Sequence, residues 1–186
     1  MIKTKKELNF YLEEDKKQFP MSIPWRLGIY IGNEKSHAWR LVRALRYYEY
    51  ALNNSNSLFG KIRLIFRKIR YSQLRLKTGI FLPPNTIGYG LKILHFNGGI
   101  YINAKSIGNY CILTSGVVVG AKNNQDCKPI IGNNVNLTLG CKIIGEIKIG
   151  DNVVVAPNSV VIKDVADNEV VSGIPAQIIK HKITPK

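Results

Sequence analysis

Histidine and cysteine are the side chains in this sequence best suited to reaction chemistry near neutral pH. His95 lies in the segment L-H-F-N-G-G, two residues after the aliphatic Ile93. A neutral imidazole can accept the proton of an attacking hydroxyl group and return it to a leaving group. A lone histidine is more often structural than catalytic, so His95 alone does not identify a reaction. We interpret His37 and His181, in the helical region and near the chain's end, as surface residues.

The three cysteines, at 111, 127 and 141, are an odd number without C-x-x-C spacing. This pattern argues against a disulfide framework or a structural zinc site, so we expect reduced thiols and no metal ion. Cys127 lies in a polar run beside Lys128, a setting that can activate a thiol. No histidine is near it in sequence, so a nucleophilic Cys127 is the weaker hypothesis. We expect Cys111 and Cys141 to be small packing residues.

The length and charge limit what can position these side chains. A chain of 186 residues suits one domain, or one domain with a helical extension. No run of 18 apolar residues occurs, and charges are spread through the first 20 residues, so we expect neither a membrane span nor a signal peptide, and a cytoplasmic location. Residues 1–77 hold 17 Lys and Arg against 6 Asp and Glu, so most of the net charge of +15 lies there. Such a region could face anionic lipid, polyphosphate or nucleic acid.

Apolar residues in the basic region recur at helical spacings of three and four. They predict three helices, at about 4–19, 36–52 and 58–77. Thr4 and Glu7 form a predicted capping box, and Pro20 and Pro24 interrupt the pattern. We expect these helices to pack their apolar sides on the rest of the protein as a cap and to turn their arginine-rich sides to solvent.

A six-residue period replaces the helical one after Pro83 and Pro84. Aliphatic residues recur six apart, or at multiples of six, at Ile107, Leu113, Val119, Ile131, Leu137, Ile143, Ile149, Val155 and Val161. The 14-residue step from Ile93 to Ile107 predicts about two extra residues, and the polar run around Gln125 predicts a loop.

This period indicates a triangular coil of 18 residues per turn, with aliphatic residues inside and glycine or asparagine at the corners. The predicted fold is therefore mainly β: a left-handed parallel β-helix of hexapeptide repeats with an N-terminal α-helical region. We divide the chain into a helical region at 1–79, the β-helix at 80–180 and a basic tail at 181–186.

Five segments carry a family resemblance: I-G-Y-G-L-K-I-L-H-F-N-G-G at 87–99, K-P-I-I-G-N-N-V at 128–135, I-I-G-E-I-K-I-G-D-N-V at 143–153, and the closing S-V-V-I-K-D-V and S-G-I-P-A-Q-I-I-K within 159–180. In this order they resemble the hexapeptide-repeat acyltransferases, in particular the serine acetyltransferase branch and its relatives found with capsule and exopolysaccharide enzymes. The resemblance implies acetyl transfer from acetyl-CoA to a hydroxyl group by a homotrimer with sites at subunit interfaces. It also implies that His95, in an H-x-x-G setting with Gly98, is the general base.

Two departures from the family pattern bear on the acceptor. Serine acetyltransferases carry an Asp that orients the catalytic histidine where this chain has Ile80, and a second His where it has Cys127-Lys128-Pro129. The departures favour a sugar hydroxyl, in surface polysaccharide biosynthesis, over L-serine as the acceptor. Asp126 or a backbone carbonyl could orient His95 instead.

In the resembling family the pantetheine arm of acetyl-CoA lies along the coils. The resemblance therefore implies cofactor contacts from Gly120, Ala121, Thr138, Leu139, Ala156, Pro157, Ile174 and Lys180. The alternative is that these residues only build the coil. The glycine-containing steps lack the βαβ context of a dinucleotide-binding fingerprint.

A third hypothesis is a non-catalytic scaffold whose basic helices bind nucleic acid or membrane. The helical aromatic residues, such as Tyr47, Tyr48 and Phe66, have a spacing more typical of packing than of base stacking, so we expect no nucleic-acid partner. Peripheral contact with the anionic inner face of a membrane remains a hypothesis for this basic region.

Overall fold

Four helices precede a three-sided β-coil in the computed structural model, which describes residues 1–122 and 126–181. Gln125, at the centre of the predicted loop, and residues 182–186 of the predicted tail lie outside the described residues. His181 ends the last strand. The helices are α1 (Lys5–Lys17), α2 (Trp25–Tyr30), α3 (Glu34–Leu52) and α4 (Leu58–Thr78).

The helix boundaries follow local capping. The predicted capping box of α1 is present: Thr4 Oγ1 accepts from the Glu7 amide at 3.1 Å, and Glu7 Oε2 accepts from the Thr4 amide at 2.9 Å. Gly79, in the left-handed conformation at φ 68°, ends α4 immediately before the first strand. Helix α2 was not predicted, because it is only six residues long and follows directly after Pro24.

Fourteen short strands form the coil within the described residues. They are β1 (Ile80–Phe81), β2 (Lys92–Leu94), β3 (Ile100–Ile102), β4 (Ser106–Ile107), β5 (Ile112–Thr114), β6 (Val118–Gly120), β7 (Ile130–Ile131), β8 (Asn136–Leu137), β9 (Lys142–Ile144), β10 (Lys148–Ile149), β11 (Val154–Val155), β12 (Val160–Val161), β13 (Glu169–Gly173) and β14 (Ala176–His181).

The strands stack into three parallel sheets, one for each side of the coil. Sheet A holds β1, β3, β6, β9 and β12; sheet B holds β4, β7 and β10; sheet C holds β2, β5, β8, β11, β13 and β14. Only the final β13–β14 pairing is antiparallel among the described strands. The predicted mainly β fold, a parallel β-helix with a helical N-terminal region, is confirmed.

The strand register confirms the predicted period and the predicted insertion before Ile107. Lys142 pairs with Val160, one 18-residue turn later. Lys92 pairs with Ile112, a step of 20 that contains the two predicted extra residues. Val118 pairs with Lys142, a step of 24 that contains six more around the polar run. All nine aliphatic residues on the six-residue ruler are buried. At Gly108 an added Cβ would lie 2.5 Å from the carbonyl oxygen of Gly132, so this corner requires glycine.

The helices cover the first coil, as predicted, and one apolar core runs from Trp39 and Leu45 of α3 into Ile80 and Leu91 of the coil. The buried guanidinium of Arg46 fastens the two parts. It donates to Asp15 of α1 and Glu49 of α3, and also to the backbone carbonyls of Ile87 and Gly88 on the first coil. Burial alone would lower the pKa of Arg46, but the carboxylates of Glu49 and Asp15 outweigh it and raise the pKa.

The expectation that α4 turns its apolar side inward is wrong. Its apolar residues Leu58, Phe59, Ile62, Ile65, Phe66, Ile69 and Leu76 are all exposed. Gly60, Tyr71 and Leu74, on the opposite side, are the buried residues of this helix. None of the helices in the described ranges is long and apolar enough to cross a membrane.

The cysteines give a test of the coil packing. Cys111 and Cys141 are buried, whereas Cys127 is half-buried. Burial raises the pKa of the Cys111 thiol to about 11 and that of Cys141 to about 12, so both stay protonated at neutral pH. We expect one thiol per native chain to react rapidly with Ellman's reagent, and three after unfolding in urea. The Cys127→Ser variant should lose the rapid phase; two or more rapid thiols would contradict this packing.

Candidate active site

His95 lies at a corner of the coil, where β2 of sheet C ends and the chain turns towards sheet A. It precedes a single 3-10 turn at Phe96–Gly98, and its side chain is 71% exposed. The partly buried Phe96 packs against the core, and the Gly98 amide donates to Ser115 Oγ at 2.7 Å on the next coil. The two extra residues in this turn of the coil therefore present His95 on an anchored surface loop.

The backbone at His95 is in the left-handed region, with φ 48° and ψ 56°. Among the described residues, six others with side chains have positive φ, and five of those are asparagine, which tolerates this conformation best. A histidine there costs of order 1 kcal/mol or more, and such outliers often mark functional sites. The backbone thus marks position 95 as a candidate functional position.

A carboxylate from the helical cap faces His95. Glu34 is the first residue of α3, which Asn33 caps by accepting from the Ser36 amide. Its Oε1 accepts from the Phe96 amide at 3.1 Å, and its Oε2 lies 3.5 Å from His95 Nδ1. The same carboxylate therefore holds the turn and faces the imidazole.

Neither Ile80, which stands where the family pattern has its orienting Asp, nor the suggested Asp126 occupies this place. Ile80 is fully buried in β1 and extends the interior of the coil. Asp126 follows β6, at the corner between sheets A and B, whereas His95 lies between sheets C and A. Sequence reasoning missed Glu34 because 62 residues separate it from Phe96 and no spacing rule links the two.

Five of the predicted cofactor residues line the corner that carries His95. Ile93 pairs with Leu113, and the same register continues through Leu137 and Val155 to Val171. The residues that follow these strands therefore stack along one edge, which we call the C/A corner. Its members include His95, Ser115, Thr138, Leu139, Ala156 and Pro157, and Ile174 follows at its end.

The other three predicted cofactor residues lie elsewhere. Gly120 ends β6 and Ala121 follows it, so both lie at the corner between sheets A and B. Lys180 pairs with Val170, near the start of the sheet C strands and away from the C/A corner. Within one chain, the structure does not bring these three residues beside His95.

A groove on sheet A borders the C/A corner. Glycine backbone at Gly98, Gly99 and Gly116 lines it, together with the side chains of Tyr101 and Lys142. The Lys142 ammonium donates to the carbonyl oxygens of Gly116 at 2.7 Å and Gly140 at 3.0 Å, which fixes a cation at the groove. The corner thus combines a proton acceptor, a carboxylate partner and an open channel lined by backbone groups.

Sequence and structure comparisons relate the chain to known enzymes. The chain is similar to serine acetyltransferases. It is 37% identical to the serine acetyltransferase of Synechococcus elongatus over 108 residues, which are 56% of this chain and 44% of that protein. The chain spans about half the length of the curated relatives it matches. No protein-family model matches it.

Solved serine acetyltransferases share the fold. The enzyme of Neisseria gonorrhoeae superposes with a TM-score of 0.70 at 23% identity, over 97% of this chain and 67% of that one. A serine acetyltransferase solved in complex with CoA gives a TM-score of 0.67 at 21% identity, over 94% and 71% of the two chains. The likeness extends over both the helical region and the coil.

Proposed function

We propose that this protein is an O-acetyltransferase that transfers the acetyl group of acetyl-CoA to a hydroxyl group. The observation that carries the proposal is the His95–Glu34 pair on the exposed C/A corner of a serine-acetyltransferase-like coil. A related solved enzyme binds CoA. Acetyl-CoA is a substrate in this proposal, and its pantetheine arm would follow the corner past Thr138, Leu139, Ala156 and Pro157.

His95 is the general base in the proposed reaction. Its Nε2 accepts the proton of the acceptor hydroxyl while the oxygen attacks the thioester carbonyl and forms a C–O bond. The tetrahedral intermediate then collapses, the C–S bond breaks, and the imidazolium returns the proton to the CoA sulfur. No acyl-enzyme is formed, because the side chain exposed at the C/A corner is that of His95 and not the thiol of Cys127.

Glu34 is proposed as the positioning residue for this step. In the proposed tautomer of His95 the proton is on Nδ1 and points towards Glu34 Oε2. Nε2 is then free to accept a proton. The carboxylate also stabilises the imidazolium that forms in the transition state. Its second oxygen is held by the Phe96 amide, so it has a defined direction towards the ring.

L-serine is the first acceptor to test, because the named relatives are serine acetyltransferases. The departures at Ile80 and at Cys127-Lys128-Pro129 predicted a sugar hydroxyl ahead of serine, whereas the serine acetyltransferase relatives favour the reverse order. A sugar hydroxyl in surface polysaccharide biosynthesis is the second candidate. It is supported by the buried Ile80 and by the segment Cys127-Lys128-Pro129, which stand where the family pattern has an Asp and a second His.

The proposed working form is a cytoplasmic homotrimer. A ring that is 71% exposed, beside an open groove, leaves the acceptor site incomplete on one side. A neighbouring subunit packed along the coil would supply the missing wall. It would also offer its Gly120, Ala121 and Lys180, which lie on other edges of the chain, to the same channel.

An acceptor screen tests the proposal. Purified protein is incubated with acetyl-CoA and either L-serine or a panel of nucleotide sugars and oligosaccharides, and free CoA thiol is followed. We expect thiol release to require one acceptor class and to match the acetylated product by mass spectrometry. Serine-dependent release well above the sugars establishes the first candidate, and the opposite ranking establishes the second.

Glutamine at position 34 should lower turnover without weakening acetyl-CoA binding. The amide of Glu34→Gln can still accept from Phe96 through its oxygen but carries no charge to stabilise an imidazolium. Because the pair is solvent-exposed, we expect kcat to fall about tenfold, with KM for acetyl-CoA within about twofold. The matched control is Glu13→Gln, which changes an exposed carboxylate of α1. Equal kcat for both variants would exclude a positioning role for Glu34 while leaving the proposed reaction intact.

A further inference from the structure

The outward side of α4 is apolar along most of its length. The exposed fraction is 84% for Phe59, 57% for Ile65 and 68% for Phe66. Leu58, Ile62, Ile69 and Leu76 extend the same stripe at spacings of three, four and seven residues. Contiguous apolar stripes of this kind usually mark an interaction surface, because exposing them to water is unfavourable.

Cations border this stripe on both sides. The sequence of α4 contains three triplets seven residues apart, Lys61-Ile62-Arg63, Lys68-Ile69-Arg70 and Arg75-Leu76-Lys77. Successive residues project about 100° apart on a helix, so each triplet places an apolar side chain between two basic ones. Seven residues are nearly two turns, so the triplets stack into an apolar stripe between two basic rows. The helix contains no Asp or Glu.

The rest of the protein uses only the opposite side of α4. Tyr71 and Leu74 are buried there, and the Tyr71 hydroxyl donates to the carbonyl oxygen of Leu82. Arg63 and Arg67 lie over the rings of Tyr50 and Tyr47 of α3, with centroid distances of 5.3 Å and 4.6 Å. These contacts fix the rotation of α4, so the apolar stripe faces outward as a defined surface.

We infer that the outward face of α4 docks in the plane of an anionic lipid membrane. A helix with an apolar stripe, basic borders and no acidic residue matches the interface between acyl chains and anionic headgroups. A second copy of the same face would bring like charges together without an acidic partner. Charge complementarity therefore favours lipid over a contact between two α4 faces. This inference is independent of the proposed acetyl transfer and places the protein at the membrane surface.

Vesicle co-sedimentation tests the inference with the full chain. The probes are vesicles of phosphatidylcholine alone and of phosphatidylcholine with phosphatidylglycerol, at low and moderate salt. We expect partitioning onto the anionic vesicles at least tenfold stronger than onto the neutral ones, with the preference weakened by salt.

Two variants of α4 separate the apolar and electrostatic parts. Ile62→Ser/Ile65→Ser/Phe66→Ser should reduce partitioning on anionic vesicles at least tenfold, and Lys61→Gln/Lys68→Gln/Arg70→Gln should abolish the anionic preference. The matched control is Ile162→Ser/Ile178→Ser, which removes two exposed apolar residues from the coil and should change nothing. Circular dichroism confirms that each variant is folded.

Light scattering on the same samples shows whether the apolar stripe of α4 is covered by another copy of the chain. Equal binding to neutral and anionic vesicles, or none to either, would overturn the inference. So would a serine variant that dissociates the protein into monomers, since the stripe would then be a subunit interface. Binding of a random oligonucleotide without vesicle binding would assign the cations to nucleic acid instead.

Discussion

His95→Ala should lower kcat/KM for acetyl transfer by about 10²–10⁴-fold, the usual contribution of a positioned general base. The variant cannot take the acceptor proton at Nε2, so the hydroxyl must attack without general-base assistance. The loss should appear mainly in kcat. The fold should be unchanged, because the side chain is exposed and contributes little to it. Steady-state release of CoA thiol, measured with the acceptor from the screen, provides both constants.

His37→Ala is the matched control for this experiment. His37 lies within α3, close in sequence to Glu34, and should tolerate alanine with activity within about twofold of the original protein. Unchanged circular dichroism would show that neither variant disturbs the helical cap. Full transfer by His95→Ala would remove His95 from the mechanism even if the protein is an acetyltransferase.

Arg46→Met should reduce the free energy of unfolding by about 3–5 kcal/mol, the usual cost of breaking a buried ion pair. The substitution leaves the carboxylates of Asp15 and Glu49 buried without their cation and frees the carbonyl oxygens of Ile87 and Gly88. A typical domain has only about 5–15 kcal/mol in total, so this single change should bring the protein near its stability limit. Urea unfolding followed by circular dichroism measures the difference.

Arg43→Met, one turn earlier in α3, is the comparison. Arg43 lies over the rings of Trp25 and Tyr47 and is only half-buried, so we expect a loss of about 1 kcal/mol or less. If Arg46→Met does not fold, Arg46→Lys keeps one charge and should show an intermediate loss. Equal stabilities of the Arg46 and Arg43 variants would show that the buried cluster does not fasten the helices to the coil.

The coil could be predicted from the sequence because its restraint is local and repeated. Each aliphatic residue on the six-residue ruler must fill the same interior position, and residues such as Gly108 must pass close to the next coil. The insertion before Ile107 followed from the same six-residue period, because residues in excess of the period must project from the wall of the coil. The capping box at Thr4 is equally local, which is why that helix start was also correct.

The orientation of α4 was mispredicted because the sequence pattern identifies an apolar side of a helix but does not show what that side contacts. The apolar stripe was identified, but which side faces α3 depends on Tyr71, Leu74 and the ring contacts of Arg63 and Arg67. Glu34 was missed for a related reason. Its meeting with His95 depends on how the cap docks on the first coil, which is set by the distant cluster around Arg46.

The acetyl-transfer reaction itself is the most direct test of this account. Protein, acetyl-CoA and each candidate acceptor are combined, and free CoA and the acetylated acceptor are quantified together by thiol assay and mass spectrometry. We predict equal amounts of the two products, dependent on one acceptor class and on His95. Absence of any acceptor-dependent CoA release, or release of CoA with acetate and no acetylated acceptor, would contradict the assignment.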